Sequence, residues 1–397
     1  MIVSSNSLDV RPIADQLLRD DDGKFHSEVA HGEISWSNEL VLHVIELKTT
    51  HPAKSLERVA EKFQQHIRSA NHLLEPWDSR LMPTAMHPWM NPHREMKLWP
   101  HDYSAVYQAF DKLFDCRGHG WANLQSVHLN LPFADEEEFG QLHAAVRLLL
   151  PLLPALAASS PVIDGRITGL CDQRLEVYRH NARSIPQVSG QVVPEPVFTY
   201  GDYQQRILEP LYKAIRPYDR EGILQHEWLN ARGAIARFDR QTIEIRVLDV
   251  QECPAADLAL LQIIIGVLRD LVAGTWSTYQ DQQQFGTEPL AELLQDVIRS
   301  GDEALISNQD YLRVMGWKGD APVTARELWR HLVYQGDLAK EIAAADAVAR
   351  VLDVIFTQGP LSRRIVSALI QSPGKDTLKR VYQRLCDCLE SGSMFTV

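Results

Sequence analysis

Cysteine is scarce in this chain: five among 397 residues, at 116, 171, 253, 386 and 388. An odd number without metal-type spacing excludes a disulfide scaffold and a structural zinc site, and it fits a reduced, cytoplasmic protein. Cys386 and Cys388 flank Asp387, and on a helix positions i and i+2 do not face each other, so they read as structural. Basic charge is also in deficit. The formal net charge of -12 argues against nucleic-acid or anionic-membrane binding, which needs a basic footprint. Long apolar runs are missing too. Val146–Ala158 is broken by Arg147, Pro151 and Pro154, Ala259–Leu268 is too short to span a bilayer, and MIVSSNSLDV has no basic n-region or long apolar h-region. No P-loop or dinucleotide-type Gly-rich loop, internal repeat or low-complexity segment is found.

What is present is the composition of a globular protein, 45% hydrophobic and 23% charged, long enough for two domains or one domain with a large insertion. Glu39–Thr49 (ELVLHVIELKT) has strand character, and helical spacing follows over Ser55–Leu74. Leu81–Pro100 is a loop rich in Pro, Met, His and Trp. Leu124–Phe133 is a second strand candidate, with Val127, Leu129 and Leu131 on one face and Ser126, His128 and Asn130 on the other. A helix is expected from Asp135, where the acidic run suits the positive end of the dipole, and Pro151 and Pro154 should end or kink it. Ser159–Val197 is long, irregular and polar; Tyr200–Ile215 reads as helix. GAIARF and TIEIRVLDV, joined by Asp239-Arg240-Gln241, predict a hairpin. Beyond Pro254 the pattern is helical, with breaks near Gly301, Gly316, Gly359 and Pro373. The fold class is therefore α+β: an antiparallel sheet offering a concave active-site face, helices on its other side, and a mostly helical C-terminal part.

The chemistry lies in polar groups on those strands. In TIEIRVLDVQ, Glu244 and Arg246 alternate with Ile243, Ile245 and Val247 and so project to one side. Fixed charges of both signs suit a site for a metal, a phosphate or a charged ligand; an ordinary ion pair on a solvated face is the alternative. His128 and the pair Glu39 and Glu46 place further ligand-type groups on the other strands, and carboxylates with a histidine suit Mg²⁺ or Mn²⁺. Glu39 and Glu46 are an odd number of residues apart. A regular strand sends them to opposite faces, so both reach one site only through a bulge or if Glu39 lies in the lead-in. Arg232, Arg237 and Arg246 offer guanidinium forks suited to a polyphosphate. Arg174 and Tyr178 share a helix face at i, i+4 and could clamp a carboxylate, or form a surface pair. His87 and His93, beside Pro88 and Pro92, suit packing or a substrate loop better than zinc.

At these residues the chain resembles the glutamate–cysteine ligases, in the bacterial carboxylate–amine ligase branch, whose catalytic domain is related to that of glutamine synthetase. SNELVLHVIELKT, TAMHPWM, LQSVHLNLPF, ASSPVIDGRITG and IEIRVLDVQECP carry the resemblance, in family order between Ser37 and Pro254. It implies an ATP- and Mg²⁺- (or Mn²⁺-) dependent ligase that makes an amide, in many relatives a γ-glutamyl one, through an acyl phosphate. It further implies Glu39, Glu46, His128 and Glu244 as metal ligands and Arg246 as the contact to the transferred phosphate. Arg232 and Arg237 match nucleotide-phosphate contacts, and Arg174 and Tyr178 match contacts to the amino-acid substrate. Residues 1–275 would form the catalytic domain and 276–397 a helical region. The partners would be small amino-acid substrates, with a homo-oligomer compatible. The departure is that no G-x-E-x-E strand motif precedes MIVSSNSLDV, so the first strand of that domain is expected to be missing. The alternative expectation is a non-catalytic or weakly active relative that binds an amino acid or a nucleotide. A metal-dependent hydrolase ranks lower, for want of a general-base histidine pair.

Overall fold

The computed structural model describes residues 1–371 and 376–397; the break expected at Pro373 lies outside them. The α+β class and antiparallel pairing are observed, with the pairing divided among small sheets. β1 (Ile2–Ser4) pairs with β5 (Ser79–Leu81), and β2 (Glu28–His31), β3 (Ile34–Asn38) and β4 (Ile45–Thr49) form a meander. β6 (Ser126–Pro132), β9 (Ala234–Arg237) and β10 (Thr242–Asp249) form a second three-stranded sheet, ordered β6-β10-β9. Two short hairpins complete the set: β7 (Val162–Ile163) with β8 (Arg166–Ile167), and β11 (Leu305–Ile306) with β12 (Val323–Thr324).

The strand expected over residues 39–49 is shorter than its apolar pattern suggests. Residues 39–44 hydrogen-bond to three other segments: Leu42 N–H to the Lys97 carbonyl, Ala14 N–H to the Leu42 carbonyl, and Ile2 N–H to the His43 carbonyl. With their backbone groups already satisfied, these residues have no ladder to join, and β4 starts at Ile45.

Helices form where local signals agree. Asp135 caps the Glu136–Leu149 helix by accepting from Glu138 N–H, and three glutamates fill its first turn. Pro151 follows, and the chain tightens into a short 3-10 turn. Pro254 opens the Pro254–Val272 helix, whose sequence is apolar on almost every side; it packs against helices Val59–Leu74, Glu136–Leu149 and Asp346–Gln358. At Gly266 a Cβ would sit 2.4 Å from Leu338 Cδ1, so any larger residue would have to push that side chain aside. One buried apolar cluster runs from Val59 to Phe356 and joins both halves of the chain, and a smaller one brings the N-terminal residues against Thr377–Ser391 and Phe395. Among the described residues, no helix is long and apolar enough to cross a membrane.

Candidate active site

A cleft of about 2020 Å³ opens between the two three-stranded sheets. β4 lines one side and β6 with β10 the other, while Val59, Phe63, Leu258 and Leu261 form an apolar floor. The strands of Glu46, His128 and Glu244 thus belong to two separate sheets that border one cleft; among the described residues β4 pairs with β3 alone. Of the expected site residues, Glu39, Glu46, His128, Arg174, Tyr178, Arg237, Glu244 and Arg246 line this cleft.

The β6–β10 register sets the polar face. Glu244 pairs with Asn130 and Ile245 with Leu129, then the register shifts so that Leu248 pairs with Val127. The extra residue in β10 leaves Arg246 and Val247 opposite His128, a bulge of the kind that re-aims side chains beside sites. Glu244 is buried. Its Oε1 accepts from Arg246 Nε at 2.7 Å and lies 3.7 Å from His128 Nδ1, and its Oε2 lies 3.6 Å from Arg237 Nη1. Burial alone would raise this carboxyl, but Arg246, His128 and Arg237 outweigh it and its pKa is lowered. Arg246 also donates from Nη1 to the Asn230 carbonyl at 3.1 Å, and the Tyr178 hydroxyl lies against its guanidinium. His128 keeps 34% of its side chain accessible in the cleft, with Nε2 3.0 Å from Ser126 Oγ. Enclosure by the cleft walls and the nearby Arg246 charge lower its pKa, which favours the neutral, ligand-competent imidazole.

Glu39, also in the cleft, lies just beyond the end of β3 rather than within β4, the lead-in position that is one of the two arrangements parity allows. Ser37, the register partner of Glu46, donates to Glu46 Oε2 at 2.5 Å, and Lys48 Nζ lies 3.4 Å from the same oxygen. Burial and the Glu46 charge push the Glu39 carboxyl up to about 7. A bound cation would relieve the repulsion between these two carboxylates. Among the described residues, no group of three or more His, Cys, Asp or Glu is gathered to hold a metal ion. Mg²⁺, however, commonly takes only one or two carboxylates and completes its shell with water and phosphate oxygens. Glu39 and Glu46 fit that role. Glu244, as placed, is an anchor for arginines.

Arg232 is not in the cleft. Its guanidinium is buried in a two-pronged contact with Glu195, both hydrogen bonds at 2.6 Å, and it also donates to the Gln187 carbonyl. His87 is buried on the Leu8 carbonyl at 2.8 Å, a packing role. Sequence reasoning missed the buried support behind Arg174, namely Asp249, Ser159, Ser160 and Asp172. It also missed the aromatic wall of Phe110, Trp121 and Trp228. The one available signal was the carboxylate in IEIRVLD, at the end of the most specific motif.

Residues 9–309 match the model of glutamate–cysteine ligase family 2. The chain belongs to this family. An uncharacterised protein from Archaeoglobus fulgidus is 35% identical over 296 residues, covering 74% of this chain and 76% of that protein. Glutamate–cysteine ligase from Francisella tularensis, solved in complex with AMP, superposes with a TM-score of 0.61 at 12% identity, over 98% of this chain and 87% of that one. A bifunctional glutathione synthetase from Pasteurella multocida gives 0.60 at 13% identity, over 98% of this chain and 51% of the larger one. At such identities the structures establish a shared fold, and membership of the ligase family supports a carboxylate–amine ligase role for this member.

Proposed function

We propose that this family member is an ATP-dependent carboxylate–amine ligase acting through an acyl phosphate. The observation that carries the reading is the meeting, in one cleft, of a carboxylate pair (Glu39, Glu46) with Arg246, hydrogen-bonded to the buried Glu244, and Arg237, which lies 3.6 Å from Glu244 and hydrogen-bonds to Asp239. A substrate carboxylate oxygen attacks the γ-phosphorus of ATP and ADP leaves; the amine nitrogen then attacks the acyl carbon and phosphate leaves, with the ammonium proton lost to solvent or a cleft base. Both transfers gather negative charge on phosphoryl oxygens, which preorganised guanidinium donors stabilise. On this reading Arg246 contacts the transferred group and Arg237 the rest of the polyphosphate. Glu39 and Glu46 would hold Mg²⁺, which neutralises phosphate charge when bound. Arg174 and Tyr178 face the amino-acid carboxylate.

The test is a screen for ADP release across pairs of amino acids and amines with ATP and Mg²⁺. At least one pair should give turnover that depends on both components. Binding of ATP without ADP release from any pair would instead make the protein a nucleotide-binding relative that performs no ligation.

A further inference from the structure

Behind the cleft wall sits a buried polar assembly that the reaction as described leaves unused. Asp249, at the end of β10, is 1% exposed. Its Oδ2 accepts from Ser159 N–H and from Ser160 Oγ, each at 2.8 Å, and its Oδ1 accepts from Arg174 Nε. Ser160 Oγ in turn accepts from Arg174 N–H at 3.1 Å. Arg174 is thus gripped at its backbone and at its guanidinium by the same two residues. Its Nη1 rests 3.4 Å from the Arg246 carbonyl, whereas its Nη2 is buried and has no hydrogen-bond partner among the described residues. Arg174 lines the cleft and Asp249 does not.

A buried guanidinium N–H without an acceptor is costly, and it persists in folded proteins mainly where a ligand or an ordered water meets it. Asp172 completes the support. Its Oδ1 caps the Gln173–Tyr178 helix by accepting from Leu175 N–H, and Ser160 Oγ lies 3.5 Å from the same oxygen. Burial and the Asp249 charge raise the Asp172 carboxyl well above the usual range, and the carboxylate in ion-pair contact with the Arg174 guanidinium is that of Asp249. The helix carrying both Arg174 and Tyr178 is therefore fastened to the end of the strand carrying Arg246.

We infer that Asp249, seconded by Ser160, is a positioning residue that holds the Arg174 guanidinium at the cleft wall as a donor for the carboxylate of an amino-acid substrate. This rests on the ligase reading above. Asp249 touches no substrate; it acts through Arg174 and fixes where the amino acid sits relative to the phosphate-binding Arg246. Losing it should weaken recognition of the amino acid and leave recognition of ATP intact.

The test compares Asp249→Asn, Ser160→Ala, Arg174→Lys and the double variant Asp249→Asn/Arg174→Lys of the full chain, with the substrate pair found in the screen. Asp249→Asn should raise KM for the carboxylate substrate about tenfold and change KM for ATP by no more than about twofold. Ser160→Ala, which removes one support and is the milder change, should raise the first KM about threefold. The double variant should be no worse than the poorer single variant, because both changes break one linkage. An unchanged KM for the carboxylate substrate, equal rises for both substrates, or additive effects would overturn the assignment. Should no pair release ADP, the ligase reading falls, and calorimetric titration with L-glutamate decides the positioning role by itself. Binding to the wild type that Asp249→Asn weakens about tenfold supports it; equal binding, or no binding to the wild type, overturns it.

Discussion

Arg246 Nε lies 2.7 Å from Glu244 Oε1, two residues back along the same strand, and the glutamate is buried beneath it. The pair is asymmetric: Glu244 is 6% exposed and Arg246 18%, so the carboxylate is enclosed and the guanidinium reaches the cleft. Arg237 meets the other oxygen from β9. Truncating Glu244 leaves the Arg246 guanidinium without its anion, while Arg237 keeps its hydrogen bonds to Asp239. Glu244→Ala should abolish ADP formation and cost about 3 kcal/mol of stability, the low end for breaking a buried pair. Urea denaturation and the ADP assay check this, and near-normal turnover would remove Glu244 from the site.

Arg246 is held by fork geometry, donating to Glu244 and to the Asn230 carbonyl at once. Lysine is a point charge on a flexible stem and cannot serve both contacts while facing a phosphate. Arg246→Lys should therefore lower kcat about a hundredfold, the scale seen when one preorganised donor to developing charge is lost. Steady-state rates with saturating ATP are the measurement, and a variant with ordinary kcat would contradict the placement.

Arg232 gives the contrasting case. Its guanidinium faces Glu195, which is 29% exposed, and it stands outside the cleft. Arg232→Ala should cost about 2 kcal/mol, discounted from a fully buried pair for the partner's exposure. KM for ATP should hold. A marked rise in that KM, without loss of stability, would return Arg232 to the nucleotide site.

Glu39 carries the pH dependence. Its carboxyl rises from 4.5 to about 7 on folding, so between those values the folded protein holds a proton that the unfolded chain releases. The associated stability is complete below 4.5 and is lost as pH rises through about 7. Glu39→Gln stays neutral throughout. Its thermal midpoint should match the wild type near the bottom of that window and exceed it above the top. Mg²⁺ should narrow the gap at high pH by stabilising only the charged wall of the wild type. A gap independent of pH, or one largest in acid, would contradict the burial of this carboxyl.

Much of the fold was legible from local signals. The Asp135 cap, the stop at Pro151, the β9–β10 hairpin and the helices after Pro254 all follow from capping, proline geometry and periodicity, which act within a few residues. The first half of the Glu39–Thr49 pattern misled. Its apolar alternation is real, but its backbone groups are taken by segments distant in sequence. Arg232 looked equivalent to Arg237 for a similar reason, since nothing local distinguishes a guanidinium that finds Glu195 from one that finds Glu244.

The sequence by itself determined the chemical inventory, namely carboxylates and guanidiniums on strands of definite period, and the family motif IEIRVLDVQECP. Period fixes which side chains share a face, because the pleat alternates whatever the surroundings. Only the tertiary structure decided that β4 and β6 stand in separate sheets across a cleft, that a bulge sets Arg246 against His128, and that Asp249 grips Arg174 from behind. Those relations join residues far apart in the chain. Which acceptor a charged group meets after burial depends on how whole elements pack, and no local pattern encodes it.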